Sequence, residues 1–204
     1  MKIICIGRNF SEHAKELGNE TPSDPVVFCK PDTALLRNND PFFIPDFSND
    51  IHHEVELVIK INRVGKNIQP KFASKYYDEI GLGIDFTARD LQSKLRANGL
   101  PWEISKAFDS SAVISKKFIN KSVLGDLSNL DFSLTIDDQL VQKGSTNEMV
   151  FSFEDLICFV SKFFTLKIGD LIYTGTPSGV APVKINDRLK GFIQEQQMFD
   201  FKVK

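Results

Sequence analysis

The chain has 204 residues, of which 42% are hydrophobic and 25% charged, and its formal net charge is −2. This balance supplies a sizeable apolar core and lacks the basic excess that nucleic-acid binding requires. No run approaches the roughly 18 apolar residues of a membrane span. We therefore expect one globular domain over residues 1–204, or two small lobes, with neither a nucleic acid nor a membrane as partner.

The start of the chain and its cysteines favour a cytoplasmic location. The first apolar segment is interrupted at Arg8, too early for a signal peptide. Cys5, Cys29 and Cys158 are odd in number, far apart in sequence and each flanked by apolar residues. We interpret them as reduced thiols in the core of a cytosolic protein.

A buried strand over residues 2–7 is followed by a helical pattern from Arg8 to Gly18 that places two polar side chains together. On this helix His13 and Glu16 would be neighbours on one face. A carboxylate beside an imidazole raises its basicity, which suits a general base acting on water, and the alternative is a solvated surface pair. The polar, proline-containing residues that follow predict that residues 8–25 form a mobile lid.

Two further short strands are predicted before the middle of the chain. Residues 26–29 have the pattern of a second buried strand, which ends at Lys30. A lysine at this place either extends its ammonium to solvent or faces a pocket as the ligand of an anion. Residues 42–45, flanked by prolines, predict an edge strand.

A strictly alternating stretch from Glu54 to Ile61 predicts a half-buried strand. Side chains two residues apart point to the same face, so Glu54 and Glu56 would stand side by side. Two carboxylates this close raise each other's pKa unless a cation lies between them. Their hard oxygens suit magnesium, manganese or calcium. The alternative is a pair of solvated glutamates on an exposed strand face.

The next strand, predicted over residues 80–86, contains two glycines, which permit close approach of another backbone. It ends with a third acidic side chain, Asp85. Thr87 is the expected N-cap of the helix that follows, with Asp90 completing a capping-box pattern.

Several side chains downstream have the chemistry to bind an anion. Arg89 and Gln92 are three residues apart on the predicted helix, and arginine is the preferred receptor for a carboxylate. Lys106, in a loop anchored by Trp102, is a second candidate active lysine. Residues 174–180 form a loop rich in hydroxyls and glycine that suits an oxygen-rich ligand. This loop lacks the lysine of a phosphate-binding P-loop, which argues against nucleotide binding.

The remaining pattern completes a fold that is mainly β with short helices. Residues 130–144 predict a hairpin. The clearest helix opens at Ser152, with Asp155 as its capping partner. Two more strands are predicted around residues 188–193 and 198–203. We expect an α+β fold that is predominantly β.

Taken together, these motifs resemble the fumarylacetoacetate hydrolase family, in particular its small acylpyruvate hydrolase and oxaloacetate decarboxylase branch. The resemblance runs nearly from end to end. It is carried, in chain order, by Gly7-Arg8-Asn9-Phe10 with His13 and Glu16, Phe28-Cys29-Lys30-Pro31, His52-His53-Glu54-Val55-Glu56-Leu57, Asp85-Phe86-Thr87-Ala88-Arg89-Asp90, Pro101-Trp102 with Lys106, and Thr174-Gly175-Thr176-Pro177. It implies a mixed β-sandwich roll of the family's C-terminal-domain type, assembled as a homodimer.

The resemblance also implies the ligands and the roles of individual residues. Glu54, Glu56 and Asp85 would hold Mg2+ or Mn2+, with Ca2+ able to take the site in crystals. The substrate would be a small 2-keto acid bound by Arg89, Gln92, Lys30 and Thr176. The catalytic residues would be Lys106, which stabilises or protonates an enolate, and His13 with Glu16, which activate water.

The implied reaction is metal-dependent cleavage of a C–C bond through a metal-stabilised enolate. It would hydrolyse an acylpyruvate such as fumarylpyruvate, or decarboxylate oxaloacetate. Two alternatives stay open. One is an isomerase or tautomerase acting on a 2-hydroxy-dienedioate of aromatic degradation, and the other is a metal-binding family member without turnover.

Overall fold

The computed structural model of the protein describes residues 1–10 and 22–204. The predicted lid over residues 8–25 therefore lies largely outside the described residues, as do His13 and Glu16. Within the described part, no helix is long and apolar enough to cross a membrane.

The described residues form strands, four short or medium α-helices and several single 3-10 turns. The strands are β1 Ile3–Gly7, β2 Val26–Lys30, β3 Leu35–Leu36, β4 Ile51–His53, β5 Val55–Ile61, β6 Tyr77–Asp85, β7 Thr87–Ala88, β8 Ala112–Ile114, β9 Ile119–Asn120, β10 Asp131–Ile136, β11 Gln139–Ser145, β12 Leu171–Tyr173, β13 Ala181–Pro182, β14 Arg188–Ile193 and β15 Gln196–Lys202. The helices are α1 Pro70–Ala73, α2 Arg89–Ala97, α3 Glu103–Lys106 and α4 Phe153–Phe163. The prediction of a mainly β fold with short helices is confirmed.

The strands form a mixed sheet of eight strands, an antiparallel sheet of four and a small sheet of three. The large sheet has the order β2-β1-β12-β5-β6-β8-β3, with β9 also paired to β6. In it β1 pairs with β12, and β3 with β8, in parallel, whereas the other pairings are antiparallel. The second sheet has the order β11-β10-β14-β15, and the third β13-β4-β7.

The four-stranded sheet packs against the centre of the large one, which produces a sandwich. Leu57 of β5 and Leu82 of β6 belong to the same apolar cluster as Phe132 of β10 and Phe199 of β15. Gly191 of β14 lies so close to Leu82 that an added Cβ would be 2.7 Å from its Cδ2 atom. Burial of this shared apolar surface is the main force that holds the two sheets together.

The central strand β5 is buried on both faces, so the prediction of a half-buried strand is wrong. Leu57 and Ile59 face the sandwich core. Val58, on the opposite face, is also fully buried, in a second cluster with Ile3 and Tyr173. The alternation of the sequence is present, but apolar side chains that include Ile3, Tyr173 and Phe118 cover the second face as well.

Pairing of β5 with β6 brings two distant parts of the chain together. The strands are antiparallel, with Val55 opposite Ile84, so the start of β5 adjoins the end of β6. The predicted close approach at a glycine also occurs here. A Cβ on Gly83 would lie 2.5 Å from the backbone oxygen of Val113 on the neighbouring strand β8.

Three predictions about burial and strands are wrong. Residues 26–29 form the strand β2, but they are partly buried or exposed and not fully buried as predicted, and β2 lies at the edge of the sheet. The three cysteines are not all core thiols, since Cys29 is exposed, Cys158 is partly buried and Cys5 alone of the three is fully buried. Residues 42–45 form no strand, since only Phe42 makes an isolated bridge, to Val203.

Thr87 is not an N-cap. Thr87 belongs to β7, and Ala88 occupies the capping position of α2 without a side-chain hydrogen bond. The Asp90 carboxylate accepts hydrogen bonds from the Ser48 hydroxyl and from the backbone N–H of Asn49 instead. The competing contacts come from a distant loop and therefore leave no trace in local sequence.

Other local predictions are confirmed. The hairpin of β10 and β11 lies where it was expected, and so does β14. Helix α4 begins after Ser152, whose hydroxyl accepts from the N–H of Asp155 in a complete capping box.

Candidate metal centre and active site

Three buried carboxylates converge where β5 begins and β6 ends. Glu54 is the single residue between β4 and β5, Glu56 is in β5, and Asp85 is the last residue of β6. The backbone N–H of Asp85 donates to the carbonyl of Glu54 at 2.8 Å, which fixes the two strand ends to each other. One carboxylate oxygen from each residue lies within 4.8 Å of the others. The side-by-side arrangement predicted for Glu54 and Glu56 is thus present, with Asp85 added to it.

Glu56 is a buried carboxylate with two other carboxylates beside it. It is 2% exposed. Burial, followed by the charges of Asp85 and Glu54, raises its pKa well above the usual range. The backbone N–H of Gly175 donates to its Oε2 atom at 2.7 Å and opposes the shift. Gly175 has a φ of +101° and no room for a Cβ, which would lie 2.8 Å from the Cβ of Asn9. The hydrogen bond to Glu56 therefore depends on glycine at this position.

Two buried lysines face Asp85 from opposite elements. Lys106, at the end of α3, places its ammonium 2.7 Å from Asp85 Oδ2, 2.8 Å from Glu54 Oε2 and 2.6 Å from the hydroxyl of Thr87. The ammonium of Lys30, at the end of β2, lies 2.6 Å from Asp85 Oδ1. It also donates to the carbonyl and the hydroxyl of Ser111, each at 3.0 Å. The Lys30 ammonium is therefore neither exposed to solvent nor part of the cavity wall, and its ion pair holds Asp85 in place.

Arg89 and Gln92 lie next to each other on α2 as predicted, and the anion that Arg89 binds is the carboxylate of Glu54, a member of the acidic cluster. Arg89 donates to Glu54 Oε1 through Nη2 and to the Gln92 side-chain oxygen through Nη1, both at 2.5 Å. Both Glu54 oxygens are therefore held by nitrogen donors, from Arg89 and Lys106. A carboxylate has about four lone-pair directions, so these contacts leave positions for a metal ion.

The donor set fits a hard divalent cation. Three carboxylates offer oxygen ligands in a buried site, and among the described residues Glu56 forms no ion pair with a lysine or arginine. Burial and the neighbouring charges of Asp85 and Glu54 therefore raise the pKa of Glu56 with little positive charge to oppose them. A cation bound between Glu54, Glu56 and Asp85 would supply it, and oxygen-only ligands favour magnesium, manganese or calcium over softer metals.

The hydroxyl-rich loop after β12 is held to this centre by a buried glutamine that sequence analysis missed. Gln142 of β11 donates through Nε2 to the Thr176 hydroxyl at 3.0 Å and to the Pro177 carbonyl at 3.1 Å. Its oxygen accepts from the N–H of Val55 at 3.1 Å and lies 2.8 Å from His53 Nδ1. Because the Gln142 oxygen can only accept, His53 must carry its proton on Nδ1. Burial lowers the pKa of His53, which keeps the ring neutral.

A cavity opens over the three carboxylates. Helix α2 contributes one wall, and the turn after β1 contributes another. Its lining residues are Ile6, Gly7, Arg8, Phe28, Glu54, Glu56, Asp85, Arg89, Gln92, Arg96, Trp102, Lys106 and Thr176. The predicted residues Arg89, Gln92, Lys106 and Thr176 are therefore brought together with the acidic cluster, while His13 and Glu16 lie outside the described residues.

Arg96 was missed although the sequence carries a signal for it. It follows Arg89 and Gln92 at the helical spacing that keeps all three on one face of α2. Arg8 was noted only as part of a motif, and its position at the cavity depends on the fold of the β1 turn.

Comparison with known proteins places the chain in a family. Residues 2–201 match the family described as fumarylacetoacetate (FAA) hydrolase C-terminal. A mitochondrial oxaloacetate decarboxylase from Dictyostelium discoideum is 48% identical over 190 residues, covering 93% of this chain and 87% of that protein. An oxaloacetate tautomerase from Escherichia coli is 39% identical, covering 92% of this chain and 86% of that protein.

Solved structures agree with the sequence matches. A fumarylpyruvate hydrolase from Pseudomonas aeruginosa, solved with Mn2+ and pyruvate, superposes with a TM-score of 0.93 at 33% identity, covering 100% of this chain and 89% of that one. A fumarylacetoacetate hydrolase family protein from Yersinia pestis superposes with a TM-score of 0.95 at 38% identity, covering 100% and 93%. The chain belongs to the fumarylacetoacetate hydrolase family and is one of its enzymes.

Proposed function

We propose that this enzyme cleaves a C–C bond in a small 2-keto acid with the help of Mg2+ or Mn2+ held by Glu54, Glu56 and Asp85. The observation that carries the proposal is the cluster of three buried carboxylates, within 4.8 Å of one another, at a cavity with cationic walls. The similarity to a fumarylpyruvate hydrolase solved with Mn2+ and pyruvate supports the choice of metal and substrate class.

When bound, the divalent ion supplies Lewis-acid stabilisation of the negative charge that develops on the keto oxygen. The protein supplies the remaining charge. The charges of Asp85 and Glu54 outweigh desolvation and raise the pKa of Lys106 to about 12, so its ammonium stays protonated at neutral pH. We assign Lys106 the role of stabilising the enolate and of returning a proton to its carbon.

Orientation of the substrate falls to the cavity walls. Arg89 and Gln92 would turn to the carboxylate of the keto acid, which matches the planar fork of a guanidinium. The Thr176 hydroxyl, fixed by Gln142, would donate to a substrate oxygen. Lys30 keeps Asp85 in place through their ion pair, so its contribution to substrate binding would be indirect.

The two candidate reactions differ in their need for water. In hydrolysis of an acylpyruvate, water loses a proton to a base and attacks the acyl carbonyl. The C–C bond then breaks, its electron pair passes to pyruvate as the enolate, and protonation gives pyruvate and a carboxylic acid. We assign the base to His13, oriented by Glu16. Decarboxylation of oxaloacetate releases CO2 and leaves the same enolate without a water nucleophile.

Tautomerisation of oxaloacetate is a second candidate, supported by the similarity of the chain to the oxaloacetate tautomerase from Escherichia coli. It interconverts keto and enol forms by moving one proton and breaks no C–C bond. His13→Ala separates it from hydrolysis, because a hydrolase should lose most of its rate and a tautomerase using Lys106 should not.

The central test is Glu56→Gln, assayed beside wild type on acetylpyruvate, fumarylpyruvate and oxaloacetate, with and without Mg2+. We expect a loss of about 100-fold or more in kcat/KM, of the size seen when a main electrostatic group is removed. The melting temperature without metal should not fall, because the substitution removes a strained buried charge. Glu79→Gln, on the surface of β6, is the matched control. Retained turnover in Glu56→Gln would refute the metal role.

We further propose that residues 1–204 form one catalytic domain that assembles as a homodimer. The match of the family over residues 2–201 supports the first part, and exposed Phe43, Phe47 and Ile104 support the second. Sedimentation equilibrium should give twice the 23.0 kDa mass of the chain. A monomer at all concentrations would contradict it.

A further inference from the structure

We propose that one end of the molecule, remote from the cavity, docks on an anionic lipid surface. Two segments, residues 62–76 and 159–169, form this end, which we call the basic end. They contain six cationic side chains and no carboxylate side chain, although the whole chain has a net charge of −2. The cations are Arg63, Lys66, Lys71, Lys75, Lys162 and Lys167.

The two segments lie side by side, so their charges belong to one surface. Gly65 and Leu166 form an antiparallel bridge, in which each backbone N–H donates to the carbonyl of the other residue, at 3.1 and 2.8 Å. The ammonium of Lys66 donates to the carbonyl of Phe163 at 2.9 Å. The loop before α1 is therefore fixed to the C-terminal end of α4.

The basic end lies at the far end of β5 from the acidic cluster. Ile61, the last residue of β5, is five residues beyond Glu56, which corresponds to about 16 Å along a strand. The N–H of Gly169 donates to the carbonyl of Ile61 at 2.8 Å and joins the second segment to this end of the strand. A partner that docks here would contact the protein away from the cavity.

The positive charge of the basic end is not neutralised locally. The acidic side chains that follow the two segments in sequence are paired with other cations. These pairs are Lys60 with Glu79, Lys121 with Asp78 and Lys2 with Asp170. Among the described residues, the six cations of the basic end have no carboxylate partner. A local excess of this kind attracts an anionic partner.

Large apolar side chains project between these cations. Val64 is 61% exposed, Phe163 61% and Ile168 70%. Phe72 is 43% exposed, and two lysine ammoniums lie over its ring, at 4.9 and 5.6 Å from the centroid. Apolar side chains that project among lysines are suited to enter the boundary between lipid headgroups and acyl chains.

The composition of the basic end favours lipid over protein as its partner. Five of the six cations are lysines, which are depleted in protein–protein interfaces, where arginine is enriched. Clustered lysines are instead characteristic of surfaces that bind anionic lipids, and their long side chains let the ammoniums reach the headgroups. A second copy of this chain would place the same six cations opposite themselves in a symmetric contact.

Docking of this kind is compatible with the described fold. The expectation that no membrane is a partner rested on the lack of an apolar run long enough to span one. A folded protein that rests on the lipid surface needs no such run.

The test is co-sedimentation of the full-length protein with vesicles of phosphatidylcholine alone, or of phosphatidylcholine and phosphatidylserine in equal parts. We expect wild type to bind the anionic vesicles at least about tenfold more tightly, and high salt to release it. Lys162→Gln with Lys167→Gln should weaken this binding about fivefold for each cation removed. Val64→Ser with Ile168→Ser should weaken it about fivefold or more, because apolar contacts with the lipid are lost.

Two matched double variants at exposed positions outside the basic end are the controls. Lys143→Gln with Lys202→Gln removes the same charge, and Leu140→Ser with Ile185→Ser removes apolar side chains that are 62% and 63% exposed. Both should bind anionic vesicles as wild type does. The melting temperature of each variant verifies that it is folded.

Three outcomes would overturn the proposal. The first is wild-type protein that binds both kinds of vesicle equally, or neither. The second is equal losses in the variants of the basic end and in the controls. The third is binding to polyglutamate but not to anionic vesicles, weakened by Lys162→Gln with Lys167→Gln, which would assign the surface to an acidic protein instead of a lipid.

Discussion

The ammonium of Lys106 lies 2.7 Å from Asp85 Oδ2. It also contacts Glu54 Oε2 at 2.8 Å, and so occupies one oxygen on each of two carboxylates that we assign to the metal. Desolvation alone would lower the pKa of Lys106, but Asp85 and Glu54 raise it to about 12. A divalent cation entering this site must therefore bind beside a permanent positive charge.

This relationship predicts opposite effects of Lys106→Met on metal binding and on turnover. The substitution removes the hydrogen-bond donor from two carboxylate oxygens and also removes a positive charge that repels the metal ion. Mn2+ should therefore bind about tenfold more tightly or better. Turnover should fall by about 100-fold or more, because the enolate loses its neighbouring charge. Calorimetric titration with Mn2+ and measurement of kcat check the two effects separately. Lys60→Met, at the surface of β5, is the control, and weaker Mn2+ binding in Lys106→Met would contradict the prediction.

The pairing of Glu54 with Glu56 was predictable from the local sequence pattern, whereas Asp85 was assigned to the same site only by the resemblance to the family. The two-residue period of a strand places Glu54 and Glu56 together whatever the rest of the fold does. Asp85 was expected at the end of the next strand, and antiparallel pairing of β5 with β6 then brings it alongside.

The partners of these carboxylates were not predictable, because they come from distant elements. Lys30 was open to two interpretations, and only the fold decides that its ammonium meets Asp85. Thr87 looked like a helix cap, but its hydroxyl is used by Lys106. Gln142 is 87 residues from Val55 in sequence, and nothing in its hairpin distinguishes it from its neighbours.

Gln142 provides a second prediction, since all of its hydrogen-bonding groups are used in a buried site. Gln142→Leu would leave the ring N–H of His53 and the carbonyl of Pro177 without their partner, so the free energy of unfolding should fall by about 2–4 kcal/mol. It should also raise KM, because the Thr176 hydroxyl loses the donor that orients it. Urea unfolding and steady-state kinetics measure the two effects.

Thr176→Val separates the two parts of this prediction. It removes the hydroxyl without disturbing the contacts of Gln142 to His53 and Pro177, so it should raise KM with a smaller loss of stability. If Thr176→Val raises KM and Gln142→Leu leaves it unchanged, Gln142 does not position the hydroxyl.

A third prediction concerns the glycine that allows β6 to pack in the centre of the sheet. In Gly83→Ala the new Cβ would lie 2.5 Å from the backbone oxygen of Val113 and 2.5 Å from the ring of Tyr173. Backbone cannot move aside cheaply, so we expect a loss of about 3 kcal/mol, at the upper end for overpacking. Gly7→Ala is the control, because its Cβ would have no neighbour closer than 3.8 Å. Equal melting temperatures for the two variants would show that β6 and β8 can separate without cost.

The last prediction concerns pH and the loop that supports α2. Asp90 accepts hydrogen bonds from the Ser48 hydroxyl at 2.7 Å, from the N–H of Asn49 at 3.1 Å and from the N–H of Leu91 at 2.8 Å. Partial burial opposes ionisation of Asp90, but these hydrogen bonds outweigh it and lower the pKa of the carboxyl. The charged form is therefore favoured in the folded state. Its contribution to the free energy of unfolding is fully present above the pKa of the unfolded state, about 3.9, and is lost as the pH falls through the lower pKa of the folded state.

Asp90→Asn should accordingly lower the free energy of unfolding by about 1 kcal/mol at pH 7, a modest value because the carboxylate is partly exposed to solvent. The difference from wild type should shrink as the pH falls below about 4, since the wild-type carboxyl is then protonated as well. Urea unfolding at a series of pH values measures it, with Asp46→Asn, an exposed carboxylate of the same loop, as the control. The N–H of Arg89 donates to the carbonyl of Asp50 at 2.8 Å, so loosening this loop should also disturb the start of α2 and raise KM. A stability difference that stays constant down to pH 3 would show that the Asp90 side chain acts through its shape and not through its charge.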